Sequence, residues 1–596
     1  MFAFRKFKSI SKSLLTINLY KNLFNRKNQI PRSFSMSEPQ GKPEEKPSEE
    51  PVLDENGKPL SKSALKKLEQ KKAKADKKAQ HQVAKGPEKP IAEEEDPLKC
   101  NYGEYELIQS QEISKKKWVE LGSISEANVG SVVLIRARVH NVRAKGTVAF
   151  LVLRDSFHTI QAVAYPGEFI SKKMIKFISG ITKESIVDLE GEVTVPEQEI
   201  HSCSKKQELK IRKVFIVSKS HELLPFQLED ASRKIEKGEE DEAEDEEHVQ
   251  VVEKHEEESK EGEKKNVKVS MRTRLNNRIV DLRTQSKQAI FILSSGVCQL
   301  FREFLYANQF MEIHTPKLIP GASEGGANVF KLKYFGKEAC LAQSPQLYKQ
   351  MCIMSDLKRV FEIGPVFRAE NSFTHRHMCE FTGLDIEMVI NEHYFELMDF
   401  MGELFIYIFE GIEKRYAAEL KAIDHQYPFE PFVCKKPVLK LTFEEACKLL
   451  KENGVEQSVH EDFNTEIEKK LGVFVKAKYG TDFYMVHRYP VAARPFYTMV
   501  CKDDNKFTNS YDFFMRGEEI TSGSQRVHDA KMLEIRAKEF GIEVETIRGY
   551  IDAFKYGAYP HGGCGIGLER VVMLYCALGN IRNASLFPRD PKRILP

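Results

Sequence analysis

The stretch FEIGPVFRAENSFTHRHMCEFTGLDIEM, residues 361–388, constrains this chain most, because it reads as two strands joined by a polar loop. Successive side chains on a strand face opposite ways, so Val366, Arg368 and Glu370 share one face of the first strand. Phe381, Gly383, Asp385 and Glu387 share one face of the second. A sheet face bearing an Arg, several carboxylates and a ring beside a Gly is poor core and a good nucleotide pocket. A guanidinium fork grips a phosphate, and a ring stacks on a base. Taken alone, a solvated edge hairpin is the simpler reading, and a short motif needs context.

The context lies near the C-terminus. HGGCGIGLERVVMLYCAL (561–578) sets Gly562, Gly563, Gly565 and Gly567 before Arg570 and an apolar helical run. Gly in a strand admits a close approach by backbone or ligand. Arg570 then starts a helix whose other face, Leu568, Val571, Val572 and Tyr575, packs inward. A third segment is a helical GVCQLFREFLYANQF (296–310) running into MEIHTPKLIP (311–320), with Pro316 closing the strand.

Taken in chain order, 296–320, 361–388 and 561–578, the three segments resemble motifs 1, 2 and 3 of the class II aminoacyl-tRNA synthetases. The resemblance narrows to the aspartate enzymes of eukaryotic cytosolic type. QSPQLYKQ (343–350) resembles their aspartate-binding strand, and SYDFFMRGEEITSGSQRVHD (510–529) their magnesium and substrate strand. It runs from about Trp118 to Pro596, apart from an acidic insertion.

The resemblance implies ATP-dependent activation of L-aspartate and its transfer to tRNA(Asp), with ATP and Mg²⁺ as cofactors. Arg368 would hold the α-phosphate and substrate carboxylate, Arg570 the γ-phosphate, Phe381 the adenine ring and Glu370 the adenine amine. His377 and Gly567 belong to the same ATP set. Glu519 and Ser522 would ligate Mg²⁺, a hard cation suited to oxygen ligands. Lys349 and Arg526 would receive the aspartate side chain, and Asp385 and Gln346 its ammonium. Ser323, Glu324, Gly325 and Gly326 resemble a loop that closes over the amino acid. Ser372, Thr374, Arg376 and His377 would face the tRNA acceptor end, and Pro316 a homodimer interface. The nearest rivals are an asparaginyl or lysyl enzyme and an inactive paralogue serving as an RNA-binding scaffold. Lys349 opposes the asparaginyl reading, the RAEN and GLDIEM strings the lysyl one, and intact Arg368, Glu519 and Arg570 the paralogue.

A chain of 596 residues exceeds one core, and its net charge of +3, on 91 basic and 88 acidic side chains, conceals strong local segregation. The expected architecture is α+β and multidomain: an N-terminal oligonucleotide-binding (OB) β-barrel, then a mostly antiparallel sheet flanked by helices. The domain boundaries expected are a leader over 1–36, an extension over 37–117, the barrel over 118–222, an acidic hinge over 223–270 and the catalytic domain over 271–596. The 11 scattered cysteines lack a CxxC pair, as reduced thiols would. No apolar run of the ~20 residues a membrane helix needs is evident, so no membrane partner is expected.

Residues 1–36 carry Arg5, Lys6, Lys8, Lys12, Lys21, Arg26, Lys27 and Arg32 and no acid. They read as a mitochondrial presequence or as an upstream leader before a cytosolic start at Met36. In LSKSALKKLEQKKAKADKKAQ (60–80), Lys62, Lys66, Lys67, Lys71, Lys74, Lys77 and Lys78 crowd one side of a helix, a phosphate-binding arm for tRNA. Five alternating segments within 131–218 make the barrel. By resemblance Phe150, Gln161 and, less firmly spaced, Glu208 read the anticodon, although Phe150 by itself reads as core. The run 237–265 is a solvated acidic insertion. The resemblance implies cytoplasmic residence, with membership of a multi-synthetase complex left open.

Overall fold

The chain is described here from a computed structural model covering residues 95–111, 113–235, 268–321 and 329–596, all within one unit, 95–596. The leader, the lysine arm with Lys62, Lys66, Lys67 and Lys71, the acidic insertion, and Ser323 and Glu324 lie outside the described residues.

Alternating Val, Ile and Leu build the barrel. After a short strand β1 (Tyr102–Glu104) come β2 (Val132–Lys145), β3 (Val148–Asp155), β4 (His158–Ala164), β5 (Ile186–Thr194) and β6 (Glu208–Ser218). The order β6-β4-β3-β2-β5 closes through a β5–β6 pairing, so the five expected strands form a barrel without edges. Ile135, Val139, Leu151, Leu153, Ile160, Val187 and Leu189 fill it, each worth roughly 1.5–3 kcal/mol of burial. Two features went unread. A helix, Lys172–Ser179, bridges β4 and β5, its Met174, Ile175 and Ile178 buried. β1, in the expected extension, pairs in parallel with β6 and buries Tyr102.

The catalytic domain is an eight-stranded sheet. Its strands are β7 (Met311–Glu312), β11 (Arg359–Phe367), β12 (Glu380–Val389), β13 (Leu439–Thr442), β14 (Phe483–His487), β15 (Ser510–Met515), β16 (Glu518–Gln525) and β17 (His561–Gly567), ordered β13-β14-β15-β16-β17-β12-β11-β7. The two outermost pairings are parallel and the rest antiparallel. Between β7 and β11 the short strands β8 (Leu318–Ile319), β9 (Lys331–Tyr334) and β10 (Lys337–Leu341) form a separate sheet. β7 ends at Glu312, four residues before Pro316, which is exposed.

The helices Gln285–Ala307, Phe395–Arg415 and Leu568–Tyr575 bury apolar faces in one core with β12, β15 and β17. Among the described residues Gln285–Ala307 is long and apolar enough, by length and composition, to span a membrane, although polar residues interrupt its apolar run. Its Leu293, Val297, Leu300 and Phe301 are buried in the catalytic core. All eleven cysteines are free thiols.

Candidate active site

The central strands place side chains in rows, because antiparallel register puts partners opposite one another on one face. One row runs Asp385 on β12, Gly565 on β17, Ser522 on β16 and Asp512 on β15. A second runs Glu387, Gly563 and Ser524. The glycines make this face possible. A Cβ on Gly563 would lie 2.1 Å from both a Glu387 carboxylate oxygen and the Ile386 carbonyl, and one on Gly565 3.2 Å from Asp385 Oδ1. The alternating glycines of β17 leave room for the carboxylates of β12.

Above this face opens a cleft of about 340 Å³. Gln346, Arg368, Glu370, His377, Phe381, Asp385, Glu519, Ser522, Arg526, Gly567 and Arg570 all line it, although they span more than 200 residues of sequence. Arg368 and Glu370 are not on the first strand, as alternation suggested. β11 ends at Phe367, and the Arg368 N–H bonds the Cys379 carbonyl (2.9 Å) to continue the hairpin into its loop. The Arg368 guanidinium lies 5.5 Å over the Phe381 ring. Arg570, in the first turn of the helix Leu568–Tyr575, is half-buried; its Nη atoms donate to the carbonyls of Glu519 (2.8 Å) and Arg376 (3.5 Å). Burial holds its pKa below the ordinary arginine value. A guanidinium bonded to carbonyls keeps its full positive charge for an anionic ligand.

At the other end of the cleft, QSPQLYKQ is a helix rather than a strand: Gln346–Met354 follows Pro345, burying Gln346, Lys349, Gln350 and Ile353 at helical spacing. Lys349 lies beneath the floor rather than in the cleft lining. Its ammonium donates to Asp385 Oδ1 (3.0 Å) and the carbonyls of Cys564 (2.9 Å) and Ile386 (3.3 Å) and lies 3.5 Å from Glu387. Arg526 grips both Glu387 oxygens (3.0 and 3.2 Å) and donates to Ser524 Oγ (2.8 Å) and Gln346 Oε1 (3.2 Å). Burial pushes the fully enclosed Glu387 carboxyl up, but Arg526 and Lys349 outweigh it and hold the pKa below the carboxylate norm. A buried carboxylate thus clamps two cations side by side.

Three residues at the Arg570 end of the cleft were missed. Glu569 lines the cleft. Arg494, buried in the loop after β14, donates to Ser522 Oγ (2.5 Å) and Asp512 Oδ2 (2.6 Å). Asp512 Oδ1 is buried without a hydrogen-bond partner, and burial raises that carboxyl to about 7. An orphaned carboxylate oxygen two strands from β17, beside Ser522 and near Glu519, suits a hard divalent cation. Alternation on SYDFFM was the available signal for Asp512; no local pattern marked Arg494. In the hairpin loop, Arg376 turns inward to Glu468 (2.6 Å) instead of outward. Thr374 (2.6 Å) and Ser372 (3.3 Å) bond His377 Nδ1, and burial lowers the His377 pKa.

On the barrel, Phe150 leaves the core to Ala149, Leu151 and Leu153 and lies half-buried on the outer wall. Gln161 and Glu208 face each other across adjacent strands, the amide donating to the carboxylate at 2.6 Å.

Residues 270–591 match the family model for class II tRNA synthetases (D, K and N), and 133–217 that of the OB-fold nucleic acid binding domain. Aspartate–tRNA ligase 1, cytoplasmic, of Arabidopsis thaliana is 48% identical over 546 residues, 91% of this chain and 99% of the relative. This chain belongs to the aspartate–tRNA ligase family. The cytoplasmic aspartate–tRNA ligase of Homo sapiens is 49% identical over 84% of this chain and 96% of its own. The solved aspartyl-tRNA synthetase of Entamoeba histolytica superposes with a TM-score of 0.73 at 45% identity, covering 83% of this chain and 96% of that one. An asparaginyl-tRNA synthetase from Pyrococcus horikoshii, complexed with asparaginyl-adenylate, gives 0.68 at 26% identity over 80% and 100%. The aspartate ligases thus share about twice the identity of that asparagine enzyme.

Proposed function

We propose that this chain is an aspartate–tRNA ligase in activity as well as family: it activates L-aspartate with ATP and transfers the aspartyl group to the 3′ end of tRNA(Asp). The observation that carries this reading is the Arg526–Glu387–Lys349 clamp at one end of a cleft whose other end holds Arg368 and Arg570. Attack of the α-carboxylate on the α-phosphorus expels pyrophosphate, and charge develops on phosphate oxygens. Arg368 and Arg570 counter that charge and align the reactants, with Phe381 stacked on the base. The carboxylate is already ionised, so no general base is needed. In the second step a ribose hydroxyl of the tRNA attacks the acyl carbon and AMP leaves, a phosphate oxygen taking the proton.

Glu519, Ser522 and Asp512 would hold Mg²⁺, which would supply charge neutralisation for the phosphates. Arg526, with Lys349 beneath it, would set the charge that accepts a side-chain carboxylate. Asparagine would forgo the charge-assisted contact that a side-chain carboxylate makes with Arg526, costing roughly 1–3 kcal/mol. We further assign tRNA contacts to Phe150, Gln161, Glu208, Ser372, Thr374 and the lysine arm, homodimer formation to the motif 1 segment around Pro316, and residence to the cytosol, where the relatives are named. ATP–pyrophosphate exchange with aspartate, asparagine and lysine tests the activity. Exchange is expected with aspartate alone; comparable exchange with asparagine overturns the assignment.

A further inference from the structure

Where the barrel meets the catalytic domain lies a second pocket, of about 390 Å³, away from the cleft. Arg136, Arg138 and Arg154 reach it from the barrel, Arg283 and Gln288 from the catalytic domain, and Asp155 stands at its exposed rim. Arg136 is neutralised by Asp188, held at 2.7 and 3.0 Å. The other three arginines gather around Glu184, two of them on its carboxylate. Glu184 Oε2 accepts from Arg154 (2.8 Å) and from Arg283 (2.9 Å), while Arg138 reaches only the Glu184 backbone carbonyl (3.2 Å). Burial first, then the nearby Arg283, press the Arg138 pKa below the ordinary arginine value; the Glu184 carboxylate offsets this in part, and Arg154 adds to it. Guanidinium stays charged at any physiological pH, so the surplus is permanent.

A structural clasp between the domains needs only Arg154, Glu184 and Arg283. It gives no reason for a third guanidinium in the same half-buried space, where like charge is unfavourable without an anion. Arg283 also precedes, and Gln288 closes, the first turn of the helix Gln285–Ala307, the positive end of its dipole. We propose that this junction pocket binds a phosphate group through Arg138 and Arg283, with Arg154, buried and held by Glu184 (2.8 Å) and His140 Nδ1 (2.9 Å), adding positive charge from behind, and that the tRNA backbone supplies the phosphate. The tRNA source is favoured by position. Phe150, Val152 and Arg154 alternate along the outer wall of β3, so the pocket lies about 13 Å along that wall from the proposed anticodon contact, at ~3.3 Å per residue. A phosphate held there touches both domains at once.

The choice of source rests on the proposed activity; the phosphate chemistry does not. Full-length protein, Arg138→Gln and Arg138→Lys are compared for binding of a tRNA(Asp) transcript across salt concentrations and, by calorimetry, of inorganic phosphate. Arg138→Gln should weaken tRNA binding roughly tenfold and lower the slope of log K against log salt by about 0.7–0.9, one phosphate contact. Arg138→Lys should keep most of the slope, which separates lost charge from lost folding. If phosphate heat disappears in Arg138→Gln while the tRNA slope is unchanged, the site takes a free anion and the tRNA source is wrong. If neither measurement moves, the proposal fails. Absence of aspartate-dependent exchange in the unmutated protein would sink the activity reading alone, since the phosphate titration still reports on the pocket.

Discussion

Lys349 and Glu569 show how much a single side chain's meaning depends on its burial. The family resemblance pointed to Lys349 as a ligand of the aspartate side chain; the structure has its ammonium beneath the floor, shared between Asp385 and Glu387. Lys349→Leu removes one of two cations around Glu387 and leaves a buried charge imbalance, costing roughly 3 kcal/mol or more. Aspartate-dependent exchange should fall at least about a hundredfold in kcat/KM, and retained exchange would show that Arg526 suffices. Glu569 was not legible at all. It is buried, its carboxylate accepts the Thr382 N–H at 3.1 Å, and burial pushes its pKa up to about 7. The folded protein holds a proton that the unfolded chain releases near pH ~4.3, so this group's contribution is complete at low pH and is lost as pH rises toward 7. Glu569→Gln should therefore gain stability relative to the parent by roughly 2–3 kcal/mol between pH 5 and 7, at ~1.4 kcal/mol per unit. Urea midpoints of both proteins at the two pH values check the sign.

Among elements, β17 was the most legible and the helix Gln346–Met354 the least. Four glycines in seven residues announced a strand pressed closely by something; the structure identifies the neighbour as the carboxylate of Glu387 and the backbone of β12. Gly563→Ala cannot be accommodated by rotating a side chain, because the Ile386 carbonyl stands 2.1 Å from the new Cβ. Separation of β12 from β17 should cost roughly 3 kcal/mol or more, read as a lower melting temperature together with lost exchange. QSPQLYKQ is short enough that strand and helix periods fit it about equally, and only the burial of Gln346, Lys349, Gln350 and Ile353 on one side decides for helix. On β3 the alternation was readable but the inward face was not. Phe150 faces outward, so Phe150→Ala should leave the barrel folded and activation untouched while lowering aminoacylation by about ten- to a hundredfold, the roughly 1–3 kcal/mol of one stacked base. Normal charging of tRNA(Asp) transcript by that variant would remove Phe150 from the anticodon contact.

At the scale of the whole molecule stands the proposed homodimer. Tyr306, Met311 and Leu318 are 54, 51 and 50% exposed and lie along the segment that includes Pro316. An apolar row of this kind on a catalytic scaffold suits a two-fold interface, where one patch serves both partners. Light scattering at micromolar concentration should give twice the chain mass, and Met311→Lys with Leu318→Lys should shift it toward monomer.

The sequence by itself determined the five barrel strands, the charged hairpin, the glycine strand and the helix bearing Arg570, because each depends on a period of two or 3.6 residues and on the local geometry of glycine. It placed eleven cleft residues through family motifs. The tertiary structure alone decided which charges meet. Arg526 reaches Glu387 across 139 residues of chain and Gln346 across 180, and Arg494 joins Asp512 to Ser522 from a loop without a motif. No local period encodes such distances: they follow from strand order, so the cation clamp, the turned-in Arg376 and the junction pocket exist only once β12, β17 and β16 lie side by side and the barrel rests on the catalytic domain.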